Sequence, residues 1–96
     1  MKPSIALALR RSAVRDLVER FPVANPRLFG SVLHGTDTEE SDLDLLVDAL
    51  PGATLLDLGG LLEELEDLLG VSIDLLTPGD LPPGIRDRIL AEAVPV

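Results

Sequence analysis

The chain has 96 residues, a formal net charge of −9, no cysteine and two aromatic side chains, Phe21 and Phe29. So short a chain makes one domain, residues 1–96, with a modest core that is marginal alone, so a partner or self-association as a homo-oligomer is expected. The absence of cysteine excludes disulfides and thiolate metal sites.

No stretch approaches the ~20 uninterrupted apolar residues needed to span a bilayer. Met1-Lys2-Pro3-Ser4, followed by an Arg-studded segment, lacks the apolar run and small-residue cleavage site of a signal peptide. A cytoplasmic protein without membrane attachment is expected. The basic residues lie only at the ends: Lys2, Arg10, Arg11, Arg15, Arg20 and Arg27, then Arg86 and Arg88. Thirteen acidic residues and no basic one fall between Arg27 and Arg86. Such a surface repels nucleic acid at physiological salt, so no nucleic-acid role is expected. The basic first segment is open to a nucleotide or an acidic partner, or is a solvated helix face.

Ile5 to about Arg20 has helical periodicity, with Ile5, Leu9, Ala13 and Leu17 at i, i+4, widened by Val14, Val18 and Phe21. Ser4 is its expected N-cap. Pro22 to Pro26 reads as a loop, Arg27 to Gly30 as a short strand, and Ser31 to Gly35 as one or two helical turns. Thr36 to Ser41 is a polar loop. Leu43 to Asp48 is a strong strand, buried at least on its Leu43, Leu45 and Val47 side. After a turn at Pro51-Gly52, Leu55 to Leu69 is a helix with Leu58, Leu61, Leu62, Leu65, Leu68 and Leu69 on one stripe. Gly59-Gly60 weakens its first half, and Gly70 suits its end. Val71 to Thr77 is a third strand, Pro78 to Gly84 a turn-rich linker, and Ile85 to Val94 a last helix. This order predicts an α/β (α+β) fold, a small sheet of three to four strands covered by helices. The sheet should be mixed, because the link from Gly30 to Leu43 is short for a full crossover.

Gly30-Ser31 is followed, after ten residues, by Asp42-Leu43-Asp44. Carboxylates at i, i+2 on a strand share a face, about 7 Å apart at ~3.3 Å per residue. Asp74 lies in the otherwise apolar run Val71-Ser72-Ile73-Asp74-Leu75-Leu76, where a carboxylate is costly unless paired or metal-bound. If the two strands are neighbours, Asp74 joins Asp42 and Asp44. Three such groups need divalent cations to ionise together, and hard oxygen ligands suit Mg²⁺ or Mn²⁺ with substrate phosphates. Gly30 lets backbone approach a phosphate, while Ser31 offers a hydroxyl and the following turn offers free N–H groups. Singly, each has an ordinary reading: Asp42 begins a strand, Asp44 and Asp74 face solvent, and Ser31 caps a turn. Their combination favours chemistry on a nucleotide. His34, the one histidine, reads as a surface or cap residue. Glu39 and Glu40 read as a solvated loop, and Glu63, Glu64, Glu66 and Asp67 as the wet face of the Leu-rich helix. Asp48 extends the Asp44 face past the site.

At these residues the chain resembles the minimal nucleotidyltransferases of the polymerase-beta-like superfamily. The signature is Gly30-Ser31, Val32 through Ser41, Asp42-Leu43-Asp44, then Asp74. Leu28 through Gly35, Ser41 through Val47 and the ending Arg86 through Val94 are also typical, so the resemblance covers nearly the whole chain. One departure is His34, where many relatives carry Arg; it implies softer phosphate contact or an altered nucleotide preference. The resemblance implies the polymerase-beta-like fold and transfer of AMP from ATP with release of pyrophosphate. Asp42 and Asp44 would hold two Mg²⁺ ions, and Asp74 would share one and help deprotonate the acceptor. Gly30 and Ser31 would hold the triphosphate. Stand-alone members of this size act as antitoxins that adenylylate a tyrosine of a HEPN-type ribonuclease toxin. A binding-only antitoxin is the alternative, which the three clustered Asp residues disfavour. A small-molecule nucleotidyltransferase is disfavoured too, because the chain lacks the length for an acceptor domain.

Overall fold

The computed structural model describes all 96 residues. In chain order the elements are α1 (Pro3–Glu19), β1 (Val23–Phe29), α2 (Gly30–His34), β2 (Leu43–Ala49), α3 (Leu55–Leu69), β3 (Ile73–Leu76), a 3-10 turn (Pro78–Asp80), α4 (Pro83–Glu92) and β4 (Val94–Pro95). They build one four-stranded sheet of order β3-β2-β1-β4. β1 runs antiparallel to both β2 and β4, whereas β2 and β3 are parallel, so the sheet is mixed as the short Gly30–Leu43 link predicts. No helix is long and apolar enough to cross a membrane.

The sheet has two different faces. Leu43, Leu45 and Val47 of β2, with Leu28 and Ile73, pack against Ala6, Leu7, Val14, Leu17 and Val18 of α1 and Leu61, Leu65 and Leu69 of α3. Leu46 points the other way, into a small cluster with Phe29 and Leu81 that Leu76, Ile89 and Ala93 flank. β2 is therefore buried on both faces at its centre, within the expectation of burial at least on its Leu43, Leu45 and Val47 side. α3 matches its expected stripe and begins with a reciprocal cap between Thr54 and Asp57. Gly70 ends it in left-handed backbone, φ 67°.

Several boundaries depart from the sequence reading. α1 starts at Pro3 with Lys2 as N-cap, not Ser4, because proline's fixed φ and missing N–H suit the first helical position. Arg10 has non-helical torsions, φ −131° and ψ 20°. That break resets the helical phase, so Ala6 and Leu7 turn inward while Ile5 and Leu9, assigned to the buried stripe, are exposed. The predicted loop from Pro22 to Pro26 is mostly strand. Val23 and Ala24 pair with Ala49 and Asp48, and the register then shifts before Arg27 pairs with Leu46. Asn25, at φ 53°, and Pro26 occupy this bulge, where a ladder N–H is not required. β1 ends at Phe29, since Gly30 begins α2. β3 is shorter than Val71–Thr77, and α4 starts two residues before Ile85. The predicted last helix stops at Glu92, freeing Val94 to pair with Leu28 as the fourth strand. Glu66 is not fully on the wet face, because its carboxylate accepts the Ile73 N–H at 3.3 Å.

Asp48 is held by β1. Its carboxylate accepts from Asn25 Nδ2 at 2.8 Å and from Arg27 Nη2 at 2.6 Å. The Asn25 amide first, and then Arg27, hold its carboxyl below the usual value of 3.8. A depressed carboxyl stabilises the fold above the unfolded value and loses that contribution as pH falls through the folded one. Asp48→Asn should therefore flatten the loss of stability below about pH 4, by about 1 kcal/mol or less for a pair this exposed, read by urea unfolding across pH. Leu65→Ala should cost roughly 2–5 kcal/mol in the same assay, whereas Leu55→Ala, at a position 87% exposed, should stay within about 0.5 kcal/mol.

Candidate functional site

The candidate site lies at the end of the sheet where β1 gives way to α2. Phe29, the last residue of β1, pairs with Asp44 of β2. Gly30 then turns the chain with φ 74°. A side chain there is excluded twice: by that backbone conformation and by space, since a Cβ would collide with Asp44 Oδ2 and lie 2.9 Å from its Cγ. The Gly30 backbone and the Asp44 carboxylate are thus in direct apposition.

Asp74 reaches the same place from the neighbouring strand. β2 and β3 pair in parallel with Leu43 opposite Ile73 and Asp44 opposite Asp74. Register partners point to one face, and Leu43 and Ile73 both fall in the core on the other. Asp42 sits just before β2, exposed, and Leu43 N–H bonds Ser72 O at 2.9 Å to lock the two strand starts together. The structure therefore sets Asp44 against Gly30 and the Ser31 N–H and pairs it with Asp74, while Asp42 is exposed at the strand start and reaches Asp44 by its charge.

Electrostatics register the crowding. Partial burial pushes the Asp44 carboxyl up from 3.8 to about 6, with the charges of Asp74 and then Asp42 adding to the rise and the Ser31 backbone N–H opposing it. The donors are hard oxygens, the set that suits Mg²⁺ or Mn²⁺. The three carboxylates form no ready-made cation cage. None of the three surface clefts is lined by Asp42, Asp44 or Asp74. The site is an open face, with Asp42 and Asp74 both exposed.

His34, at the end of α2, is a surface residue whose Nε2 meets Glu92 of α4 at 3.3 Å. Glu39 and Glu40 are exposed, as expected of the loop. Two features escaped the sequence reading. Arg86 holds the turn before α4, donating to Pro78 O and Leu81 O at 2.8 Å each. Asp37, within the polar loop, is buried and accepts the Ser4 N–H at 2.9 Å. An acidic residue in a run of Thr and Glu carries no periodic signal that separates it from its neighbours.

The chain matches the nucleotidyltransferase domain family over residues 10–96. It is 42% identical over 80 residues to the protein adenylyltransferase MntA of Thermococcus cleftensis, covering 83% of this chain and 81% of that one. A Methanocaldococcus jannaschii protein assigned as a protein adenylyltransferase is 45% identical over 74 residues, or 77% of this chain and 80% of the other. Among solved structures, a protein assigned as a minimal nucleotidyltransferase superposes with a TM-score of 0.87 at 44% identity, covering 97% of this chain and 95% of that one. A toxin–antitoxin crystal structure with AMP-PNP shares the fold at a TM-score of 0.73 and 20% identity, over 88% of this chain and 69% of that one. With a glycine-serine turn set against carboxylates from two paired strands, and relatives matched along most of its length, this chain belongs to the nucleotidyltransferase family, as one of its minimal members.

Proposed function

We propose that this chain is a Mg²⁺-dependent protein adenylyltransferase that moves AMP from ATP to a tyrosine of a cognate HEPN-type toxin and so acts as its antitoxin. The observation that carries the reading is the pairing of Asp44 with Asp74 beside Gly30, where partial burial first, and then the neighbouring Asp74 and Asp42 charges, push the Asp44 carboxyl up to about 6. Crowding of this kind is relieved by a divalent cation, so the donor set fits one. Asp42 and Asp44 would hold two Mg²⁺ ions, with Asp74 sharing one. When bound, such ions stabilise charge on the attacking and leaving oxygens of phosphoryl transfer.

In the transfer the tyrosine oxygen bonds to the α-phosphorus of ATP, and the bond from that phosphorus to the β-bridging oxygen breaks. Pyrophosphate leaves, and the hydroxyl proton passes to Asp74. Gly30 and Ser31 hold the triphosphate through close backbone approach and the Ser31 hydroxyl. The openness of the carboxylate face supports a folded protein as acceptor, because a rigid surface can be presented to it directly. The names of the relatives support the same acceptor class: a protein adenylyltransferase from Thermococcus cleftensis, and a toxin–antitoxin assembly holding AMP-PNP.

The test incubates the chain with labelled ATP, Mg²⁺ and the toxin. Label should appear on a toxin tyrosine, and Asp42→Asn with Asp44→Asn should lower the rate by roughly 10²-fold or more, since the cations supply several kcal/mol. Transfer that persists in the double variant would overturn the assigned roles. Neutralisation of the toxin by the double variant as well as by the wild type would favour a binding-only antitoxin.

A second outcome needs no toxin. A carboxyl whose folded value is raised stabilises the fold fully below its unfolded value and loses that contribution as pH rises through the folded value. At pH 7.5 in metal-free buffer, ionised Asp44 is therefore a net cost, and Asp44→Asn should raise stability by about 1 kcal/mol after discounting for solvent screening. Below pH 4 the gain should vanish. Mg²⁺ should raise the Tm of the wild type and leave the variant nearly unchanged, read by thermal unfolding.

A further inference from the structure

We propose that Asp37 is a positioning residue, pinning the connection between Ser31 and Asp42 to the end of α1 and so fixing the spacing of the phosphate turn from the carboxylates. The inference rests on the proposed roles of Asp42 and Asp44.

Asp37 is the buried charged residue of this fold, 9% exposed, in a loop whose neighbours Thr36, Thr38, Glu39 and Glu40 are all exposed. Its Oδ2 accepts the Ser4 N–H at 2.9 Å across 33 residues of sequence. That amide lies in the first turn of α1, where N–H groups have no partner inside the helix. Lys2, the N-cap, contributes no side-chain bond, and the first turn carries no acidic residue. Asp37 thus supplies from afar both the acceptor and the negative charge that α1 lacks locally. The Ser4 hydrogen bond holds its carboxyl below the usual range, so it is ionised at neutral pH.

The loop on either side is internally stiff. Thr36 N–H donates to Ser31 O at 3.0 Å, tying the upstream end to the phosphate turn. Downstream, Thr38 N–H donates to Ser41 Oγ at 2.8 Å and Ser41 N–H to Thr38 O at 3.1 Å, reaching the residue before Asp42. Asp37 joins the two halves and fastens them to a helix seated in the core by Ala6, Leu7, Val14, Leu17 and Val18. A further contact between the segments, the Met1 amino group with Glu39 at 2.7 Å, joins two solvent-exposed groups. A site whose reacting groups sit at both ends of one loop depends on the part that holds that loop still.

Removing the pin also removes a helix cap, so the test separates the two. Asp37→Ala removes both functions; Asp37→Asn keeps an oxygen for the Ser4 N–H; Lys2→Asp in the Asp37→Ala background restores a cap within α1 without restoring the link to the loop. The measurements are Tm, Mn²⁺ affinity by electron paramagnetic resonance in the presence of AMP-PNP, amide hydrogen exchange over residues 36–42, and kcat and KM for ATP. Asp37→Ala should weaken Mn²⁺ binding and kcat/KM by about 10- to 100-fold and speed exchange in the loop. Asp37→Asn should stay within a few-fold of the wild type. Adding Lys2→Asp should recover Tm while leaving Mn²⁺ affinity, kcat/KM and loop exchange impaired. Recovery of all four would overturn the proposal and make Asp37 a helix cap alone. Unchanged Mn²⁺ affinity and exchange in Asp37→Ala would overturn it as well. A wild type that transfers no nucleotide counts against the proposed function, whereas Mn²⁺ affinity and loop exchange still decide this inference.

Discussion

The parallel pairing of β2 with β3 is the constraint on which the site depends. Leu43, Leu45 and Val47 must face α1 and α3, and Leu46 must face Phe29 and Leu81. A slip of one residue would exchange those faces and drive Asp44 into the apolar core. The hydrophobic demand on the middle of the strand therefore fixes where its carboxylates emerge. Ile73, buried beside Leu43, does the same for Asp74. No separate device is needed to aim Asp44 and Asp74; packing aims them.

Charge is sorted around this arrangement. The basic side chains near the sheet are already engaged: Arg27 with Asp48 at 2.6 Å, Arg15 with Val96 O at 2.8 Å, and Arg86 with Pro78 O and Leu81 O. Asp44 lies near Asp74 and Asp42 with no arginine engaged beside it, and partial burial first, then those two charges, raise its carboxyl. Asp48, on the same strand and face, shows the opposite outcome, because Asn25 and Arg27 favour its ionised form. One strand thus carries a carboxylate that the fold satisfies internally and another that it leaves in need of external positive charge. That contrast distinguishes the two acids more sharply than residue type does.

Much of this was legible in the sequence, where local pattern and tertiary demand agree. β2 and α3 follow their hydrophobic periods, and the Gly-Ser turn lies against Asp44 of the Asp-x-Asp pair. The failures have physical causes. The i, i+4 stripe of the first helix assumed an unbroken helix, and the break at Arg10 rotated Ile5 and Leu9 outward. Pro22 and Pro26 argued for a loop, yet Pro22 only precedes the strand and a bulge with Asn25 at positive φ accommodates Pro26 inside it. β4 is two residues long and exists only because β1 offers an edge. Asp37 looked like any polar loop residue, since its burial is decided by a helix end 33 positions away.

The ten-residue interval between Ser31 and Asp42 also has a geometric reason. β1 and β2 are antiparallel, with Phe29 opposite Asp44, so a two-residue hairpin would suffice to join them. Such a turn would place backbone and side chains where Gly30 now lies open against Asp44. The longer path instead leaves the sheet at once through α2 and returns through the loop that Asp37 fastens to α1. It lets the Gly30 backbone lie directly against the Asp44 carboxylate. Glycine at position 30 is the necessary complement, because any side chain would collide with the Asp44 carboxylate. The Gly-Ser turn, the interval and the acidic pair are therefore one construction: an antiparallel junction routed away from its own end so that the Asp44 carboxylate meets bare backbone at Gly30.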